Sequence, residues 1–128
     1  KPIMANFTGS DWCGWCMKLD RAVFLTEEFK KWAKDNVILL ELDFPRRKKL
    51  DKELEESNNQ LQSIFRVRGF PSIWVFSVTK TDDEKFSINA QVDANGQGWQ
   101  RMGFMNSSSA FIAKAEGIIK QMSEIFED

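Results

Sequence analysis

Two apolar rhythms alternate along the chain. Ile3 to Phe7 is a short, nearly continuous apolar run that ends in the turn-forming cluster Thr8-Gly9-Ser10-Asp11, which suits a buried strand followed by a loop. From Cys13 the spacing changes. Cys16, Leu19, Val23 and Phe24 recur at helical intervals among Lys18, Asp20 and Arg21, so a helix is expected to begin near the first cysteine. Thr26 followed by Glu27 and Glu28 reads as an N-cap with acids in the first turn, where the helix dipole favours them. This predicts a second helix, or a bent continuation of the first, ending near Asn36. Val37 to Leu42 is too short and too uniformly apolar for a surface helix, and predicts a central strand covered on both faces and paired in parallel.

Beyond Pro45, the residues Leu50, Leu54, Leu61 and Phe65 mark one stripe of an otherwise polar helix. Gly69-Phe70-Pro71 then punctuates the chain before Ser72 to Val78, a strand rich in aromatic and β-branched residues. Thr79 to Glu84 reads as a loop and Phe86 to Val92 alternates weakly. Ala94-Asn95-Gly96-Gln97 reads as the turn of an antiparallel hairpin whose last strand runs from about Trp99 to Met105. Ser107 to Ser109 can cap a final helix reaching about Phe126, with Phe111, Ile112, Ala115, Ile118, Ile119, Met122 and Phe126 on its apolar side. The order β-α-β-α-β-β-α describes an α/β fold, a central mixed sheet with helices on both faces. No repeat or linker interrupts it, so residues 1–128 are expected to form a single domain, which at this length can bury its own core.

Charge narrows the partners. The chain has 18 basic and 19 acidic residues, so no global field draws it to nucleic acid, and no run approaches the ~20 apolar residues of a membrane span. The basic run Arg46-Arg47-Lys48-Lys49 is followed at once by Asp51, Glu53, Glu55 and Glu56, and reads as a solvated, mutually screened surface rather than a binding patch.

The chemistry is confined to two cysteines, Cys13 and Cys16, in a chain without histidine. Histidine-based triads are excluded, and two thiols alone cannot close a zinc site, so no metal or other cofactor is expected beyond the cysteine pair itself. As a structural staple the pair closes too short a loop to restrict the unfolded chain much, and reactivity explains it better. In disulfide exchange a thiolate attacks, a mixed disulfide forms, and a second thiol releases the product. At a helix start, Cys13 lies where free backbone N–H groups and the dipole favour an anion, with Cys16 one turn deeper. Cys13 is therefore expected to be the exposed attacker and Cys16 the resolver. Acidity contributes little: lowering a thiol pKa from ~8.5 to ~7 gives about sixteenfold more thiolate at neutral pH, but lost nucleophilicity returns about fivefold of it. Holding the two sulfurs together, worth up to ~7–11 kcal/mol in well-oriented systems, matters more. Trp12 and Trp15 flank the pair and cannot both enter one core, so at least one is expected to contact substrate, whereas Trp32, Trp74 and Trp99 read as packing residues.

Trp12-Cys13-Gly14-Trp15-Cys16 after an apolar strand, with Gly69-Phe70-Pro71 before another, resembles the thioredoxin family over most of the chain. The longer string from Phe7 to Cys13, with Leu42-Asp43-Phe44-Pro45 and Arg101-Met102-Gly103-Phe104, resembles its periplasmic Dsb-type members, the DsbH-like reductases above all. The resemblance implies a thioredoxin-like fold and a thiol-disulfide oxidoreductase, a reductase or isomerase of protein disulfides. It further implies a cis Phe70-Pro71 bond facing the cysteines, leaving backbone free to pair with an extended substrate. Trp12, Gly14, Trp15, Phe70 and Pro71 are on this basis the expected substrate-contacting residues. Implied too are a monomer working in the periplasm or another extracytoplasmic compartment, a thioredoxin-like or membrane electron donor of the DsbD type, and a further strand and helix ahead of Ile3.

The sequence departs from the family where typical members bury an aspartate beneath the cysteines. Asn6 or Phe7 falls there, with Leu39 or Glu41 in place of the partner lysine, leaving water or Glu41 to move the proton. Trp15 stands where proline is common and where strong oxidants carry histidine, which points to a reductase. The competing expectation is a binding module of the same fold in which the Cys13–Cys16 bridge is fixed and the surface near Trp15 recruits a partner.

Overall fold

Strand β1 (Ile3–Thr8) is the spine of the molecule, since its alternate side chains enter different cores: Met4 lies on one face, Ala5 and Phe7 on the other. The computed structural model describes residues 1–126; Glu127 and Asp128, the end of the domain expected over 1–128, lie outside the described residues. After β1 come α1 (Gly14–Leu19), which runs on as a π-helical turn over Asp20–Phe24, and α2 (Glu27–Asn36). Then follow β2 (Ile38–Asp43), α3 (Lys52–Phe65), β3 (Ser72–Lys80), β4 (Phe86–Asn89), β5 (Arg101–Met102) and α4 (Ser108–Phe126). Over the described residues the strands form a mixed sheet in the order β2-β1-β3-β4, with β5 also on β3. Strands β1 and β2 run parallel, while β3 is antiparallel to β1, β4 and β5.

The larger core lies between one face of the sheet and α1, α2 and α4. There Met4, Ile73 and Val75 meet Leu19, Val23, Phe29, Phe111, Ala115 and Ile118. The smaller core holds Ala5, Phe7, Leu42, Trp74 and Phe76 against Phe65 of α3. Helices thus cover both faces, as the element order implied. Thr26 caps α2 as expected, its Oγ1 accepting the Phe29 N–H at 3.2 Å.

Three expectations are corrected. Strand β2 is an edge strand, not a central one covered on both faces, and Ile38, Leu39 and Leu40 are exposed, Leu39 at 54%. A uniformly apolar run looks the same whether a neighbour covers it or not, and here β1 holds the centre. Strand β4 forms its hairpin with β3, pairing Ser77 with Asn89, and β5 pairs Ile73 and Trp74 further along, so the expected hairpin between the last two strands is absent among the described residues. The buried Gln100 side chain fills the gap, its Nε2 donating to the Val75 and Asn89 carbonyls while its Oε1 accepts the Gln91 N–H. On α3, Leu54 is exposed and Asn58 is buried instead, because Asn58 Nδ2 donates to the Asp43 carbonyl at the end of β2.

Candidate functional site

Cys13 ends the loop that follows β1. Its extended backbone makes it the N-cap of α1, and the Cys16 N–H donates to Cys13 Sγ at 3.2 Å. The two residues are joined by a disulfide, with their Cα atoms 5.3 Å apart. The loop is fixed by the Trp12 and Cys13 N–H groups, which both donate to the Gly9 carbonyl. Gly9 is required for packing: a Cβ there would overlap the Trp12 indole. Contrary to the expected exposed attacker, Cys13 is buried, 6% exposed against 2% for Cys16. Gly14 opens α1 with free space on its Cα, and Trp15 is 57% exposed, touching the edge of Phe104.

Trp12 is built in. Its Nε1 donates to the Phe44 carbonyl at 2.8 Å, its ring meets Phe70 edge-on at 5.6 Å, and Phe70 stacks on Phe44 at 5.3 Å. The peptide bond between Phe70 and the buried Pro71 is cis. The Trp12–Phe70 contact sets Phe70 against the loop that carries the cysteines. Of the expected site residues, then, Cys13 and Cys16 are joined by the bridge and Trp12 meets Phe70, while Gly14 and Trp15 are exposed at the start of α1.

The loop after β2 was not read as part of the site. Asp11 accepts the backbone N–H groups of Arg46 and Arg47 at 3.0 and 2.9 Å, and Ser10 donates from N and Oγ to Asp43. The Arg46 N–H bond, helped by that of Arg47 and by nearby cations, holds the Asp11 carboxyl below its ordinary 3.8. The Arg46 guanidinium lies over the Trp12 ring, 3.6 Å from its centroid. An acid two residues before a cysteine, facing a basic run across one strand, was the available signal.

On the other side of β1, Asn6 lies opposite Glu41 in the β1–β2 register, and both line a groove of about 220 Å³ with Asp20, Phe24 and Leu39. Phe7, the other residue expected at that place, is buried on the α3 face. Asn6 Oδ1 is buried without a hydrogen-bond partner among the described residues. Partial burial raises the Glu41 pKa, as do the charges of Asp20 and Asp43 against an opposing Lys48; burial also raises that of Asp20. Among the described residues no group of three or more acidic, thiol or imidazole ligands is placed to hold a metal, and no helix is long and apolar enough to cross a membrane.

Comparison with known proteins agrees with this geometry. Residues 1–82 match the family described as Thioredoxin-like domain. Over 121 residues the chain is 33% identical to the disulfide bond reductase DsbH of Chlamydia pneumoniae, covering 94% of this chain and 63% of that protein. Over 76 residues it is 28% identical to the thioredoxin-related protein DsbJ of the same organism, covering 59% of this chain and 22% of the other. The chain thus spans less than two thirds of the length of these curated relatives. A solved DsbH oxidoreductase superposes with a TM-score of 0.73 at 31% identity, covering 94% of this chain and 73% of the other. A Thermus thermophilus thioredoxin, 10% identical, superposes with a TM-score of 0.62 over 99% and 80% of the two chains and shares the fold.

Proposed function

The chain belongs to the thioredoxin-like family, and from that we propose that it is a thiol-disulfide oxidoreductase, a reductase or isomerase acting on protein disulfides through Cys13 and Cys16. The observation that carries this reading is the Cys13–Cys16 disulfide at the head of α1, with Cys13 at the N-cap. In the reduced protein the Cys13 thiolate attacks one sulfur of a substrate disulfide, and the other sulfur leaves as a thiolate that takes a proton. Cys16, once deprotonated, attacks Cys13 Sγ in the mixed disulfide, closes the bridge and releases the second substrate thiol. Two electrons pass to the substrate, and a dithiol donor of the thioredoxin or DsbD type must return them. Beyond the bridge itself the step calls for no cofactor. Packed as it is, Trp12 shapes the site floor with Phe70, and Trp15 and Gly14 face the incoming chain. We place this activity in a monomer, in the periplasm or another extracytoplasmic compartment, on the likeness to Dsb-type proteins.

The reading is tested by exchange kinetics. Cys13→Ser should abolish turnover of an insulin-type substrate, and Cys16→Ser should accumulate a mixed disulfide through Cys13. Wild-type turnover in Cys13→Ser would end it. Reductase direction predicts a potential well below the roughly −120 mV of a strong oxidant. The low exposure of both cysteines favours one other reading, a binding module with a fixed bridge. Such a bridge resists dithiothreitol, whereas a catalytic one equilibrates with it.

A further inference from the structure

The charges around the bridge are not arranged as the sequence alone suggested. Each tryptophan flanking the cysteines carries a cation on its ring: Arg46 lies 3.6 Å from the centroid of Trp12, and Lys18 lies 4.5 Å from that of Trp15. A third cation, Arg101, donates from Nη2 to Ser72 Oγ, immediately after Pro71. Behind Arg46 come Arg47, Lys48 and Lys49, all exposed. The backbone of this basic loop is tied to the cysteine loop by the Asp11 bonds to the Arg46 and Arg47 N–H groups, the Ser10–Asp43 pair and the Trp12–Phe44 bond, which hold the Arg46 guanidinium over Trp12, next to Cys13.

Nearby acids offset these charges only in part. Asp11 and Asp43 keep their charge while accepting from the Arg46 and Arg47 amides and from Ser10, and Asp43 lies 3.7 Å from Lys48, but two carboxylates stand there against Arg46, Arg47, Lys48, Lys49 and Lys18, while Asp20 and Glu41 line the groove on the other side of β1. Among the described residues Asp51, Glu53, Glu55 and Glu56 form no ion pair within 4 Å with Arg46, Arg47 or Lys49. Glu55 alone shares a groove of about 300 Å³ with Arg46, Lys48 and Lys49. The net charge of the whole chain is −1, so this field is local and, at physiological salt, fades over about 8 Å.

We propose that this cationic rim selects acidic peptide disulfides: the protein reduces disulfides fastest where Asp or Glu residues flank the substrate cysteine. The proposal rests on the reductase reading above and names its substrate class. A substrate strand crossing Trp12 and Trp15 sets its flanking side chains within reach of Arg46, Arg47 and Lys18. There a carboxylate gains charge-assisted hydrogen bonds, and a lysine meets repulsion.

The test uses three disulfide peptides that differ only in having Glu, Gln or Lys around the cysteines, with single-turnover reduction by the dithiol form of the protein as readout. At low salt the Glu peptide should react about tenfold faster than the Lys peptide, with the Gln peptide between. The ratio should shrink toward one in about 1 M salt, where screening is strong. The exposed side chains of Arg47 and Lys49 provide the variant: R47E/K49E should abolish or invert the Glu-to-Gln rate ratio, and because the Gln peptide is the internal standard, a general change in reactivity does not enter. Equal rates for all three peptides at low salt overturn the charge proposal and leave the reductase reading standing. A preference that survives high salt or the variant overturns it too, and failure to reduce any peptide defeats both readings.

Discussion

On the side of β1 that faces α3, the residues around the cysteine loop are bonded to one another almost to completion; on the side that faces α1, they are not. Trp12 meets Phe70, Arg46 and the Phe44 carbonyl, Asp11 takes two amides, and Asp43 takes Ser10. Across the strand, Asn6 Oδ1 has no partner among the described residues, Glu41 and Asp20 share a groove, and Leu39 and Leu40 face out beside them. One flank is rigidly specified and the other is left open. A protein whose chemistry needs two sulfurs fixed relative to an incoming strand gains from the first, while the second leaves room for water and protons beneath α1.

The contrast predicts its largest effect at the tryptophans. Trp12→Ala removes a ring packed on several sides and orphans the Phe44 carbonyl, and should cost about 2–4 kcal/mol in unfolding free energy. Trp15→Ala loses one edge contact and one exposed cation, and should cost less than about 1 kcal/mol, acting on substrate affinity instead. Urea unfolding of the two variants with equal losses would break the comparison.

A smaller, cleaner version uses the two glycines that bracket Cys13. Gly9→Ala drives a Cβ into the Trp12 indole and should destabilise by about 1–3 kcal/mol, displacing Arg46 with the ring. Gly14→Ala meets open space at the start of α1 and should be neutral or stabilising by up to about 1 kcal/mol. Thermal melts of both variants beside the wild type decide it.

How much of this was legible depended on whether the signal was local. The β1 run, the Thr26 cap, the helix starting at Cys13 and the long apolar side of α4 follow from short-range spacing, and each is found. The cysteine pair was legible for the same reason. The edge position of β2 was not, because Val37 to Leu42 records that a segment is apolar and not which neighbour covers it. Nor was the Asp11 clamp. It joins residues 35 and 36 positions apart, and the basic run beside it looked screened by acids that follow in sequence but do not pair with it within 4 Å among the described residues. The gap at Asn6 could be narrowed only through family likeness, and the choice between Asn6 and Phe7 needed the sheet register to decide which residue faces α1.

The smallest effects are the most diagnostic, because the two flanks respond to pH with opposite signs. Asp11 has a folded pKa below its ordinary 3.8, chiefly through the Arg46 N–H bond, so its contribution is complete above that value and is lost as pH falls through the lowered one. Glu41 has a pKa raised above its ordinary 4.5 by partial burial and by Asp20, so it favours the fold most below that value, and its contribution is lost as pH rises through the raised one. In urea titrations between pH 3 and 7, Asp11→Asn should be less stable than wild type near neutrality and lose less on acidification. Glu41→Gln should remove a decline in stability that the wild type shows as pH rises above about 4.5, with Asp20 leaving a residue of that slope because its pKa is raised in the same groove. Because Gln carries no charge at any pH and so escapes both the burial penalty and the repulsion from Asp20 and Asp43, Glu41→Gln should match or exceed wild-type stability at pH 7. A Glu41→Gln variant whose slope above pH 4.5 equals that of the wild type would mean that the carboxyl is not desolvated in the groove, and the opposite pH responses of the two flanks would be lost.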